Sequence, residues 1–222
     1  MRTLQLSRSG IHFFGSQKIL KQMQESFDRN HFIRIRQFLH PELLKKLKEE
    51  LGRSRFYKKV HKGIGTELCM FDGSAVRLLS FLLQDPVLFR YVEAMTGCKT
   101  IGCLTGRIYR MNASEHSDDW HNDLTQNRMV AMSLNLSPKP YQGGHLLMRS
   151  VKKGSKAREV RNTGFGDIIL FRIRKDLQHC VQNITGSVPK TAFAGWFRSK
   201  PDYRRPFKQR RRELKMAFSG AA

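Results

Sequence analysis

From residue 100 onward the chain is a succession of short segments, each ended by Gly, Pro, Asn or Asp, in which apolar and polar residues alternate or β-branched residues cluster. Side chains of an extended chain repeat every two residues, so such segments offer one face to a core and the other to solvent. Strands are expected near 101–111, 129–137, 145–150, 157–162, 167–172, 179–184 and 191–198. Short strands at that spacing close into a β-sandwich or jelly roll.

The first hundred residues read mainly as helix. Ile19, Leu20, Met23 and Phe27 fall at helical spacing. Residues 31–39 (HFIRIRQFL) then alternate as a strand would. Pro41 opens a second helix with Leu43, Leu44, Leu47 and Leu51 on one face, since proline costs little in a first turn. A third helix is expected over Ser74–Gln84. A fourth is capped by Asp85 and stopped by Gly97. The glycine-rich, basic stretch 53–73 reads as a loop or flap; with 112–119 it is expected to flank an opening. The fold class expected is α+β, with N-terminal helices packed against the larger sheet. One domain is expected over 1–222: helical support over 1–99, a jelly-roll core over 100–198, and a basic tail over 199–222.

Composition narrows the function classes. Hydrophobic residues make up 40% of the chain, too many for a disordered one. No apolar run reaches the ~20 residues that a membrane span needs. The opening residues, MRTLQLSRSGIHFF, lack an apolar run with a small-residue cleavage site, and the four cysteines are few. A cytoplasmic protein with reduced thiols, Cys98 and Cys103 unpaired, is expected. Lys and Arg number 41 against 18 Asp and Glu, a net charge of +23. Such a surplus gathers anions, whether nucleic acid, an acidic carrier protein or an anionic small molecule, but says nothing about fold.

A non-haem iron centre needs two imidazoles and one carboxylate on one face, leaving the opposite positions open. In an extended H-x-D both ligands point to one side. The chain has two such motifs, His116-Ser117-Asp118 and His121-Asn122-Asp123, and a distant strand-like segment carries His179.

The order of motifs around them resembles the 2-oxoglutarate- and Fe(II)-dependent dioxygenases of the prolyl-4-hydroxylase-like branch. The matching pieces are HND, RMVAMSLNLSP, YQGGHLLM, GFGDIILF, HCVQNITGSVPK and TAFAGWF, in sequence over roughly 105–198, with FLHPELL similar to the family's N-terminal part. The resemblance implies a double-stranded β-helix (jelly roll). It implies that His121, Asp123 and His179 hold Fe(II), with the second motif preferred because Trp120 and the following strand fit the family better. Lys190 matches the cation that binds the far carboxylate of 2-oxoglutarate, and Tyr109 a tyrosine that assists it. O₂ is the other cosubstrate, with ascorbate as an accessory. Relatives that halogenate have a small residue where Asp123 stands, so the carboxylate implies hydroxylation.

The family likeness points to an amino-acid substrate, free, in a peptide or on a carrier, and the basic surface suits an anionic one. The alternative is a nucleic-acid-directed oxygenase or demethylase, whose binding would weaken steeply with salt. A non-enzymatic jelly-roll binding module is disfavoured by the complete ligand set. Gly143, Gly144 and Asp167 read as turn residues, Trp196 as core, His145 as a strand start and Cys180 as facing away from the metal. Arg128 and Arg198 read as surface residues or as residues pointing into the barrel.

Overall fold

The computed structural model describes residues 3–201 apart from 71, 72, 114, 115, 126, 153 and 162. In chain order the elements are β1 (Leu4–Ser7), β2 (Gly10–Phe13), α1 (Gln17–Asn30), β3 (Phe32–Ile35), α2 (Pro41–Arg53), β4 (Phe56–His61), β5 (Gly65–Met70), α3 (Ser74–Leu82) and α4 (Pro86–Thr96). They continue with β6 (Cys103–Met111), β7 (Ser117–Asp118), β8 (Arg128–Asn135), β9 (Leu146–Ser150), β10 (Arg158–Val160), β11 (Ile168–Arg172), β12 (Leu177–Val181) and β13 (Lys190–Arg198).

Two antiparallel sheets face each other. The larger runs β3-β11-β8-β13-β6-β5-β4, with β7 against β5; the smaller runs β10-β9-β12. This is the expected double-stranded β-helix. The outer face of the large sheet (Ile108, Val130, Met132, Leu134, Ile168, Leu170, Phe193, Phe197) shares one core with Leu20 and Phe27 of α1, Leu43 and Leu47 of α2, Leu79 of α3, and Leu88 and Val92 of α4. Burying an apolar side chain of this size contributes roughly 1.5–3 kcal/mol, so the helices and this face hold each other in place. The inner face (Ala131, Ile169, Phe171, with Trp196 against them) meets Leu146 and Met148 of the small sheet.

Local signals set the helix ends. The Asp85 side chain accepts the Val87 N–H at 2.7 Å, and Gly97 closes α4 in the left-handed region (φ 64°). His40 caps α2 ahead of Pro41.

Three expectations change. Within the stretch read as a loop or flap, residues 56–70 are a hairpin, β4 and β5, that extends the large sheet. Its solvated edge strand carries Lys58, Lys59 and an exposed Val60, which hides the usual alternation. The hairpin also pairs with the other flanking segment, through Gly65 opposite Asp118. Second, the N-terminus adds the hairpin β1–β2, too short to register as strands. Third, the strand expected at 179–184 begins two residues earlier, at Leu177. Cys98 and Cys103 are free thiols. The basic tail lies, beyond residue 201, outside the described residues. No described helix is long and apolar enough to cross a membrane.

Candidate metal and cosubstrate site

His121 and His179 meet as an isolated antiparallel bridge between the end of the β7 segment and β12. Each backbone N–H donates to the other's carbonyl, at 3.0 and 2.8 Å. This places the two imidazoles side by side, with ring centroids 4.4 Å apart. The His121 Nδ1 lies 2.7 Å from the Asp119 carbonyl, an acceptor that holds the proton on Nδ1 and leaves Nε2 for a ligand role. Two residues on, Asp123 comes within 3.4 Å of the His179 Nε2. The ligand atoms of His121, Asp123 and His179 all lie within 4.8 Å of one another, a spacing that suits one divalent ion.

The carboxylate of Asp123 is oriented from outside the triad. Arg128 donates to Oδ1 and the Trp196 indole to Oδ2, each at 2.6 Å. Burial pushes this carboxyl up, but His179, Trp196 and Arg128 outweigh it and hold it far below the usual carboxylate range. Arg128 also stacks on the Trp196 ring, its Cζ 3.9 Å from the centroid. Trp196 is therefore not the plain core residue that its position suggested, and Arg128 points into the barrel. Arg198 is buried as well.

Lys190 opens β13 at the other end of the inner face and is fully enclosed. Its Nζ donates to the Gly144 carbonyl at 2.6 Å, and among the described residues no carboxylate pairs with it. Burial lowers its pKa to about 8. Tyr109 lies two positions from Met111, which faces Lys190 across β6–β13, so tyrosine and lysine share the inner face. Burial pushes the Tyr109 hydroxyl well above its ordinary pKa. A buried cation whose hydrogen bond goes to a backbone carbonyl is costly to keep charged.

The sequence profile of the 2OG-Fe(II) oxygenase superfamily matches residues 106–198, the stretch that carries all five of these residues. That match runs from β6 to the end of β13 and so spans the jelly-roll strands and the candidate site, a region of 2OG-Fe(II) oxygenase type. Its fold is similar to that of a Pseudomonas putida prolyl-4-hydroxylase (TM-score 0.58, 16% identity, 82% of this chain and 100% of that one). It is likewise similar to a Trichoplax adhaerens prolyl hydroxylase solved with a hypoxia inducible factor peptide fragment (TM-score 0.61, 16%, 82% and 90%). A 2OG-Fe(II) oxygenase-family oxidoreductase from Burkholderia pseudomallei aligns over 90% of this chain and 96% of its own (TM-score 0.62, 12% identity). No curated protein sequence matches the chain at a significant level. The enzyme is a dioxygenase using Fe(II), 2-oxoglutarate and O₂, and the donor set just described fits both the metal and the diacid.

The competing motif of this oxygenase is used differently. His116 is buried and its Nδ1 accepts the Asn112 N–H at 2.8 Å, so it closes its own turn. Asp118 accepts the Val181 N–H at 2.6 Å and lies 3.5 Å from the His121 Nδ1, bracing the β12 backbone and the first imidazole together. Burial raises the Asp118 carboxyl against the opposing pull of His121. Sequence reasoning placed Asp118 only in the less favoured motif and in the 112–119 stretch expected to flank an opening. It also missed Glu67, His61 and Arg107. Glu67 binds the Arg107 guanidinium through both oxygens, and His61 (2.7 Å) and Cys69 (3.1 Å) also contact it. Burial pushes the Glu67 carboxyl up, but His61 and Arg107 prevail and bring it down to about 2. Only an alternation signal in 56–70 could have exposed this cluster, and the edge hairpin lacks one.

Proposed function

We propose that this oxygenase hydroxylates an unactivated C–H bond of an amino acid or amino-acid residue, free, in a peptide or protein, or carried on another molecule. In this reading His121, Asp123 and His179 hold Fe(II), and Lys190 with Tyr109 seats 2-oxoglutarate. The observation that carries it is the complete imidazole–imidazole–carboxylate cluster, together with a buried Lys190 on the inner face of β13, the strand whose Trp196 binds Asp123. Bound Fe(II), 2-oxoglutarate and O₂ supply the oxidising power, and the protein supplies geometry and a dry cavity.

The chain's own residues divide the work. Arg128 and Trp196 each take one lone pair, on Oδ1 and Oδ2 of Asp123, and the second lone pair on each oxygen is left for the metal. The Asp119 carbonyl fixes the tautomer of His121. Phe171, stacked edge-on against His179 at 4.9 Å, keeps water from that side of the ring. Lys190 offers a buried point charge, where the ammonium already finds the Gly144 carbonyl. A carboxylate at position 123 favours hydroxylation over halogenation, because the site gives an anionic ligand no room in its place. The prolyl hydroxylase folds among the neighbours support an amino-acid-type substrate, and a cytoplasmic location is part of the same reading.

The test is succinate release from 2-oxoglutarate with Fe(II), screened against free amino acids, peptides and carrier-bound acyl groups. Asp123→Ala is expected to abolish succinate formation while leaving the fold intact by circular dichroism. Turnover surviving in that variant would transfer the ligand role to His116 and Asp118.

A further inference from the structure

One charged group on the inner face of the large sheet has no part in the roles above. Arg107 of β6 pairs with Ala194 of β13, and Ala194 pairs with Ser133 of β8. This cross-strand row faces inward, since the residues beside it in sequence, Ile108, Phe193 and Leu134, are buried in the outer core. Arg107, Ala194 and Ser133 all keep part of their surface open, and with Ala131 and Ala192 the small residues of this face leave the arginine room. The arginine reaches over them. Its Cζ lies 5.1 Å from the ring centroid of Trp196, the residue that binds Asp123. Its side chain is 29% exposed, against 11% for its partner Glu67.

The guanidinium is held rigidly and only on one edge. Nε and Nη2 donate to the two oxygens of Glu67, the second at 3.0 Å. Glu67 in turn is fixed by His61 and Cys69, so it cannot swing the arginine away. A guanidinium bound side-on through Nε and Nη2 keeps its end-on edge, Nη1 and the outer Nη2 hydrogen, for a second planar acceptor. Among the described residues nothing occupies that edge. Glu67 already balances one charge, so a carboxylate leaves the local group with a single negative charge, where a phosphate dianion would leave two. A carboxylate is therefore the anion that fits. The +23 surplus favours its arrival.

We propose that Arg107 binds a carboxylate of the substrate end-on, with Glu67 as its positioning residue, so that the enzyme selects acid-bearing amino-acid or peptide substrates. This rests on the oxygenase reading given above and narrows its substrate class. A carboxylate of 2-oxoglutarate is the other source of the same chemistry, and the experiment separates the two.

The probes are N-acetyl amino acids and their matched carboxamides, offered to protein loaded with Mn(II) in place of Fe(II) and with 2-oxoglutarate. Broadening of the probes' NMR signals by Mn(II) reports both binding and nearness to the metal. The acids are expected to bind about tenfold or more tighter than the amides, as a charge-assisted bidentate contact gives. Arg107→Met is expected to erase that difference while the dissociation constant of 2-oxoglutarate stays within about twofold. If R107M does not melt cooperatively, Arg107→Lys, which keeps the charge and loses the fork, is expected to weaken the acids by about tenfold. Equal or absent binding of acids and amides to the wild type overturns the proposal. So does a preference that survives the substitution, or a loss that falls on 2-oxoglutarate instead. A wild type that takes up neither Mn(II) nor 2-oxoglutarate overturns the oxygenase site itself, and this inference with it.

Discussion

The indole of Trp196 donates to Oδ2 of Asp123 across 2.6 Å, on the carboxylate oxygen nearer His179. The bond does more than satisfy a half-buried N–H. With Arg128 on Oδ1 it removes the carboxylate's freedom to rotate, so the ligand is already aimed before a metal arrives. Outer-shell partners of this kind change metal affinity by about 10–100-fold when removed. Trp196→Phe keeps the ring under Arg128 and deletes only the donor. We expect a fall of about tenfold or more in Fe(II) or Mn(II) affinity by calorimetric titration, with little change in Tm. Unchanged metal affinity would show that Arg128 alone holds Asp123.

The proposed seat for 2-oxoglutarate on Lys190 predicts a cosubstrate affinity that depends on pH. Its pKa falls from 10.5 to about 8 because the ammonium is buried. Between those two values the unfolded chain holds a proton that the folded one lacks, so this group's contribution to stability rises with pH across that window. For binding the sign reverses. Only the protonated amine offers charge to a diacid, so 2-oxoglutarate affinity should be flat below about pH 8 and fall by up to about tenfold per unit above it. Lys190→Arg, always charged, should flatten the profile, and Lys190→Met should weaken binding at neutral pH by roughly a hundredfold or more. A wild-type affinity unchanged between pH 7.5 and 9.5, measured by titration calorimetry, would remove Lys190 from the cosubstrate site.

What could be read from the sequence depended on whether a residue's role is set by its neighbours in the chain or by partners in space. In β13, Ala192, Ala194 and Trp196 alternate with the fully buried Phe193 and Phe197, so the strand and its inner face were plain. The spacing of His121 and Asp123 carries its own geometry, and His179 stands in a strand whose backbone pairs with His121. The β4–β5 hairpin gave no such pattern, because an edge hairpin bathed on one side tolerates Lys58 and Lys59 where a buried strand would alternate. Its loss hid the Glu67–Arg107 pair, whose members lie 40 residues apart. Trp196 was read as core because its ring does pack there, and nothing local reveals that its N–H is aimed at Asp123.

The Gly143–Gly144 turn links fold and site and can be tested by comparing two glycines. Both residues are left-handed (φ 73° and 67°), and the Gly144 carbonyl receives Lys190. A Cβ on Gly143 would stand 2.1 Å from the Asn183 carbonyl oxygen, whereas Gly63, also at φ 73°, has open space where a Cβ would go. Gly63→Ala should therefore cost only the left-handed backbone penalty, roughly 1–2 kcal/mol. Gly143→Ala carries the same penalty plus a clash with backbone that is tied into the Gly143–Ile184 bridge. We expect Gly143→Ala to lower Tm by several degrees more than Gly63→Ala, at about 2–4 °C per kcal/mol for a chain of this size. It should also weaken 2-oxoglutarate binding, because a shifted turn moves the carbonyl away from Lys190, while Gly63→Ala leaves cosubstrate affinity unchanged. Equal melting shifts in the two variants would mean that the turn yields without strain and that its glycines serve conformation alone.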